Sequence, residues 1–197
     1  MPGSFGYGEK AIGLQELMVS PFNPFTGVQG TPVFIPEGNK LLAKPMTNSD
    51  ETKAQFAVTS MAGWTEAFEF EFSWAGLNFD TMVTLLGGAF VKNAESGVTP
   101  NAKTMGIWKA RTIFNYFSLA GYSLGENNTG FAQGFWKAMI SEAEIGQAED
   151  GKYLLSNVKG KCLAHLKGSV YEFGRYRRFE TGITFDATAF TALFTEV

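Results

Sequence analysis

The 197-residue chain is short of almost everything that carries side-chain chemistry. It has one cysteine, Cys162, and one histidine, His165. A single cysteine excludes an intramolecular disulfide and suits a reducing compartment during folding. Together the two cannot supply the three or four ligands of a zinc site without help from carboxylates. Charged residues make up only 18%, below the usual quarter. The formal net charge of -3 leaves no basic surplus for gripping nucleic acid. No run approaches about 18 apolar residues, so no membrane helix is expected. The opening Met-Pro-Gly-Ser-Phe-Gly-Tyr-Gly lacks the basic and apolar regions of a secretory signal. No Gly-rich phosphate loop with a following Lys-Ser/Thr occurs.

What is present is aromatic. The chain holds 19 Phe, 6 Tyr and 4 Trp, with 23 Gly and 45% hydrophobic residues. That is enough to fill a core and to leave aromatic surface over for a partner. The clearest pattern is at residues 64–74. Phe68, Phe70, Phe72 and Trp74 alternate with Glu69, Glu71 and Ser73, the period of a strand with one buried and one wet face. Met82, Leu85 and Leu86 then take helical spacing, and Gly87-Gly88 supplies a stop. Phe179, Thr181, Ile183, Phe185 and Ala187 form a second alternation. Phe190, Leu193, Phe194 and Val197 then form a last helical turn.

Residues 1–31 read as an irregular, Pro- and Gly-punctuated N-terminal arm, and 32–197 as a single domain. Deleting the arm is expected to leave a folded domain that no longer polymerises. Further strands are predicted at 32–35, 40–43, 53–59, 89–92, 104–108, 112–119, 135–145, 153–158, 161–167 and 170–176. Pro36-Glu37-Gly38-Asn39 resembles a hairpin connection. Residues 93–102 and 121–134 read as long loops. The fold class is mainly β: an antiparallel β-sandwich or barrel with one or two short flanking helices.

No catalytic set emerges, and the chain reads as a non-enzyme with no cofactor and no metal. Cys162 and His165 are three apart, which on a strand places them on opposite faces. Glu69 and Glu71 could be paired for glycosidase chemistry, but they also mark the wet face of an amphipathic strand. Arg175, Arg177 and Arg178, with Tyr176 and Phe179, form the one basic aromatic cluster. It could stack bases, form a solvated strand edge, or make intersubunit contacts with acidic residues of a neighbour.

The order of features, Phe68-Glu69-Phe70-Glu71-Phe72, then Leu85-Leu86-Gly87-Gly88, then Phe185-Asp186-Ala187 before a terminal helix, resembles the major tail tube proteins of long-tailed bacteriophages. The likeness is one of pattern and covers residues 50–92 and 135–197 best. It implies a virion structural protein, assembled in the host cytoplasm, whose hexameric rings stack into a hollow tail tube. The implied partners are copies of itself, other tail proteins at the tube ends, and a sheath as a further candidate. DNA would pass through the lumen without specific binding. Glu69 and Glu71 are the candidate lumen-facing acids. Two other readings share the composition: another virion subunit, for capsid decoration or tail termination, and a β-barrel that binds an apolar ligand in a Phe-lined cavity.

Overall fold

Phe70, Phe72 and Trp74 are buried to within 2% of full burial, and Glu69 and Glu71 point to the other face. The alternation read from the sequence is thus the inner and outer face of a real strand. A computed structural model describes residues 11–54, 57–75, 78–94, 104–110, 112–125, 129–144, 155–180 and 182–195. Their elements are β1 (Ala11–Pro21), β2 (Val33–Phe34), β3 (Gly38–Ala54), β4 (Ala57–Ala75), α1 (Phe79–Leu86), β5 (Phe90–Ala94), β6 (Thr104–Trp108), β7 (Phe117–Gly125), β8 (Gly130–Glu144), β9 (Leu155–Leu163), β10 (His165–Lys167), β11 (Val170–Glu172), β12 (Gly174–Phe179) and α2 (Ala187–Phe194).

The main sheet runs β2-β1-β7-β8-β9-β4-β3, with β12 also paired to β8. All of its pairings are antiparallel. Strand β8 forks: residues 130–135 pair with β12, and residues 137–144 pair with β9 on that same side. The sheet curls until its two ends meet. Ile35 N donates to Leu17 O at 2.8 Å, which extends the pairing of β2 with β1 by one rung. At Gly38 a Cβ would lie 2.9 Å from the Leu17 Cβ, so only glycine lets β3 pass β1 this closely. The mainly β fold with two short helices matches the sequence expectation.

Two cores result. Inside the curl, Leu17, Val19, Phe72, Trp74, Phe117, Leu119 and Phe135 pack with Met82, Leu85 and Leu86 of α1. On the outer face of β1, β7 and β8, Met18, Ala120, Tyr122, Ala132 and Trp136 pack under Phe190, Leu193 and Phe194 of α2. Both helices start on a side-chain cap. Asn78 Oδ1 accepts from the Asp80 and Thr81 amides, and Asp186 Oδ1 accepts from the Thr188 and Ala189 amides. The interior is filled by aromatic rings rather than hollow.

Several sequence expectations are corrected. Residues 11–21 of the supposed arm form β1, an internal strand that supplies Leu17 and Val19 to the core. The 121–134 loop is instead the end of β7 and the start of β8. The strand placed at 112–119 begins only at Phe117. The turn at Pro36 is not a hairpin: β2 pairs with β1, and the chain crosses to β3 at the far end of the sheet. Residues 53–59 span the end of β3 and the start of β4, the two strands of one hairpin; Phe56 lies outside the described residues. The alternation at 179–187 ends as strand at Phe179, and α2 begins at Ala187. Most of the 93–102 loop lies outside the described residues, after Asn93 and Ala94 at the end of β5.

Candidate assembly surfaces

Glu69 and Glu71 sit in a ladder of alternating charge. Across the outer face, Lys44 and Lys161 lie opposite Glu69, and Leu42 and Lys159 lie opposite Glu71. Glu142 is paired with Lys159 in turn. Lys40 Nζ reaches Glu71 Oε1 at 2.8 Å, and Lys159 Nζ reaches Glu142 Oε2 at 3.6 Å. The Lys40 hydrogen bond holds the Glu71 carboxyl below its ordinary range, with burial opposing. A shallow groove of about 400 Å³ runs between these side chains. The face is thus charge-balanced rather than acidic: Glu69 stands between two cross-strand lysines, and Glu71 lies beside Lys159 and the diagonal Lys40.

The arginine cluster divides. Arg175 forms a two-pronged pair with Glu172, Nε to Oε2 at 2.9 Å and Nη2 to Oε1 at 3.0 Å. Its Nη1 donates to the Phe194 and Thr195 carbonyls. Arg177 donates to the Ala192 and Thr195 carbonyls. Both guanidinium groups therefore satisfy the carbonyl end of α2 within their own chain, where a cation also complements the helix dipole. Arg178 lies over the Phe131 ring, 5.8 Å from its centroid. Glu172 is held below the ordinary carboxylate range, first by the Arg175 hydrogen bond.

Cys162 and His165 do not form a pair. Cys162 is fully buried in the inner core, and burial pushes its thiol far up. His165 lies on the outer side, edge-on to Phe22 at 5.0 Å and near Trp136 at 6.0 Å. Burial lowers its basicity, and the Lys137 and Lys167 charges lower it further, against Glu172. Among the described residues no group of three or more His, Cys, Asp or Glu side chains could hold a metal. No helix among them is long and apolar enough to cross a membrane.

Two features stand out from the body of the sheet. Strands β3 and β4 pair along their whole length, but β9 joins β4 only from Phe68 to Ala75. The segment before Phe68, with its β3 partner, is a two-stranded ribbon that no third strand joins among the described residues. At one end of the sheet, Phe25 is 96% exposed, Ile113 83% and Val28 62%. Sequence reading missed this knob. Its signal was present in Asn23-Pro24-Phe25-Thr26-Gly27, a turn sequence with an aromatic at its crest.

No protein-family model matches the chain. No curated protein matches it either. Among solved structures, the chain is similar to one in the cryo-EM structure of the anti-feeding prophage (AFP) baseplate, 6-fold symmetrised. The overlay covers 86% of this chain and 97% of that one, at 10% identity and a TM-score of 0.43. An overlay at that level says nothing about activity.

Proposed function

We propose that this chain is a non-enzymatic, self-assembling structural subunit. In its most specific form it is a tail-tube protein of a virion, whose hexameric rings stack around a DNA passage. The observation that carries the reading is exposed apolar surface: Phe25, Val28 and Ile113 stand in water together at one end of the sheet, where a partner could cover them.

The charge supports the same reading. At -3 per copy, a tube wall has no basic surplus to hold phosphates, so a passing polyanion would not stall. If the face bearing Glu69 and Glu71 lines the lumen, it presents a neutral ladder and acts by lacking grip. The partners on this reading are further copies of the chain and, at the ends, other tail proteins. Negative-stain microscopy of the purified full chain tests it. Tubes or stacked rings with a central hole are expected. A monomer or trimer that persists at high concentration would overturn the proposal.

A further inference from the structure

We propose that His165 is a proton-operated latch: its neutral ring seats the turn that carries Phe25, and its charged ring releases that turn. The consequence for assembly rests on the self-assembly reading, because Phe25 and Val28 ride on the turn.

The crest of the turn is held together by its own bonds. Asn23 Oδ1 accepts from the Phe25 amide at 2.9 Å and the Thr26 amide at 3.2 Å. The Gly27 amide donates to Asn23 O at 2.8 Å, and the Asn23 amide to Val28 O at 3.0 Å. Its ties to the sheet lie at the base: the Phe22 amide donates to Tyr116 O, Gln29 Nε2 to Ser118 Oγ and Ser20 Oγ to Gly30 O. A cleft of about 900 Å³ separates the crest from residues 113–116. From behind, the crest rests on His165. Gly27 has φ 70, and a Cβ there would lie 2.8 Å from Nε2 and 3.0 Å from Cε1. The crest can pivot at its base without breaking its own bonds, and the packing of Gly27 on one imidazole edge is what seats it.

That edge is a poor place for a charge. Phe22 meets the ring edge-on at 5.0 Å, and Trp136 lies 6.0 Å away. Lys137 of β8 and Lys167 of β10 face it with the sign of an imidazolium. Arg175 of β12 adds a third cation 5.6 Å from the Trp136 ring. Among the described residues, Glu172 of β11 is the acid that faces it. Both Glu172 oxygens already accept, from Arg175 and from Trp136 Nε1. Residues 21–30 hold no titratable side chain. A ring that takes up a proton gains a second N–H donor and needs water or an acceptor beside it. Gly27 occupies that place until the turn lifts. The seated turn and the proton therefore oppose each other, and a fall in pH favours the released turn.

The test uses the untagged full chain, in which His165 is the sole imidazole, dilute enough to sediment as single copies. Hydrogen–deuterium exchange with mass spectrometry is run from about pH 7.5 to about pH 5, across the histidine range. Exchange at the ring carbon gives the His165 midpoint, and exchange of the 22–30 amides, corrected for its intrinsic pH dependence, reports the turn. In wild type those amides should exchange faster as pH falls through the His165 midpoint, while the amides of α1 do not. His165→Gln should remove the dependence. Gly27→Ala forces the turn off the ring, so it should exchange fast throughout and move the His165 midpoint up towards its ordinary value. Linkage ties the two readings: each pH unit between the Gly27→Ala and wild-type midpoints corresponds to about a tenfold rise in wild-type exchange at the acid limit. A turn that ignores the His165 titration in wild type, or keeps its pH response in His165→Gln, would overturn the latch. A working latch in a chain that stays monomeric at high concentration would overturn the self-assembly reading and leave the latch standing. Particles that form at neutral pH and dissociate on acidification in wild type, but persist in His165→Gln, would support both.

Discussion

Arg177 carries little of its charge to the outside world. Its guanidinium meets the Ala192 and Thr195 carbonyls at the last turn of α2. Arg177→Ala leaves those carbonyls without that donor, and unfolding free energy should fall by about 1–2 kcal/mol. A urea titration with unchanged slope would check it. His165 sets a different dependence. Its folded-state basicity is depressed from the ordinary 6.5, chiefly by burial. The unfolded chain therefore takes up the proton first as pH falls. Stability is full above about pH 6.5 and declines as pH drops through the depressed folded value. His165→Gln should flatten the melting temperature between pH 7 and 5.5 relative to wild type. Glu71 and Glu172 act in a separate window. Their folded values lie below 4.5, so their contribution is kept above 4.5 and lost only as pH falls further.

At the scale of elements, legibility followed burial. The Phe68–Trp74 run of β4 could be read because one of its faces is dry and the other wet. The short helix after it was readable because its apolar spacing ended at a glycine pair, and α2 was legible as a terminal apolar turn. Of strand β7 only Phe117 to Leu119 fell within a predicted strand, because α2 and the inner core bury both its faces from Phe117 to Tyr122. With no wet face there is no period of two. The glycines of 121–134, which looked like a loop, are spaces for neighbours. A Cβ at Gly134 would lie 2.6 Å from Leu193, and one at Gly130 would lie 2.3 Å from Tyr122. The pairing of β2 with β1 was hidden for another reason, since nothing local tells a hairpin from a crossing to the opposite end of a sheet. The position of β1 reverses the expectation for the N-terminal arm. Deleting residues 1–31 removes Leu17, Met18 and Val19 from the two cores. Circular dichroism should show an unfolded chain, not a folded domain that fails to assemble. A milder change, Asp186→Ala, should cost about 1 kcal/mol by uncapping α2, read from a shift in the urea midpoint.

Over the whole molecule, the assembly surfaces were less legible than the fold. Exposure of Phe25 and Ile113 depends on how a turn is propped from behind, and His165 under Gly27 comes from 138 positions later in the chain. The arginines looked like a surface patch because the helix end they bind lies beyond them in sequence. The ribbon is separable from the body by the same reasoning that makes it prominent. Replacing residues 49–63 with a two-residue Asn-Gly turn removes no cross-strand partner of β9. The melting temperature should stay within a few degrees, while particle formation seen by light scattering should fall.

Strand β7 is a party wall, with a furnished room on either side. Solvent can reach its amides only after the helical lid and the barrel have both given way. In native-state hydrogen exchange, Leu119 and Ala120 should therefore be among the slowest amides to take up deuterium, opening at the free energy of complete unfolding. The backbone of α2, which walls one room only, should exchange at a lower cost.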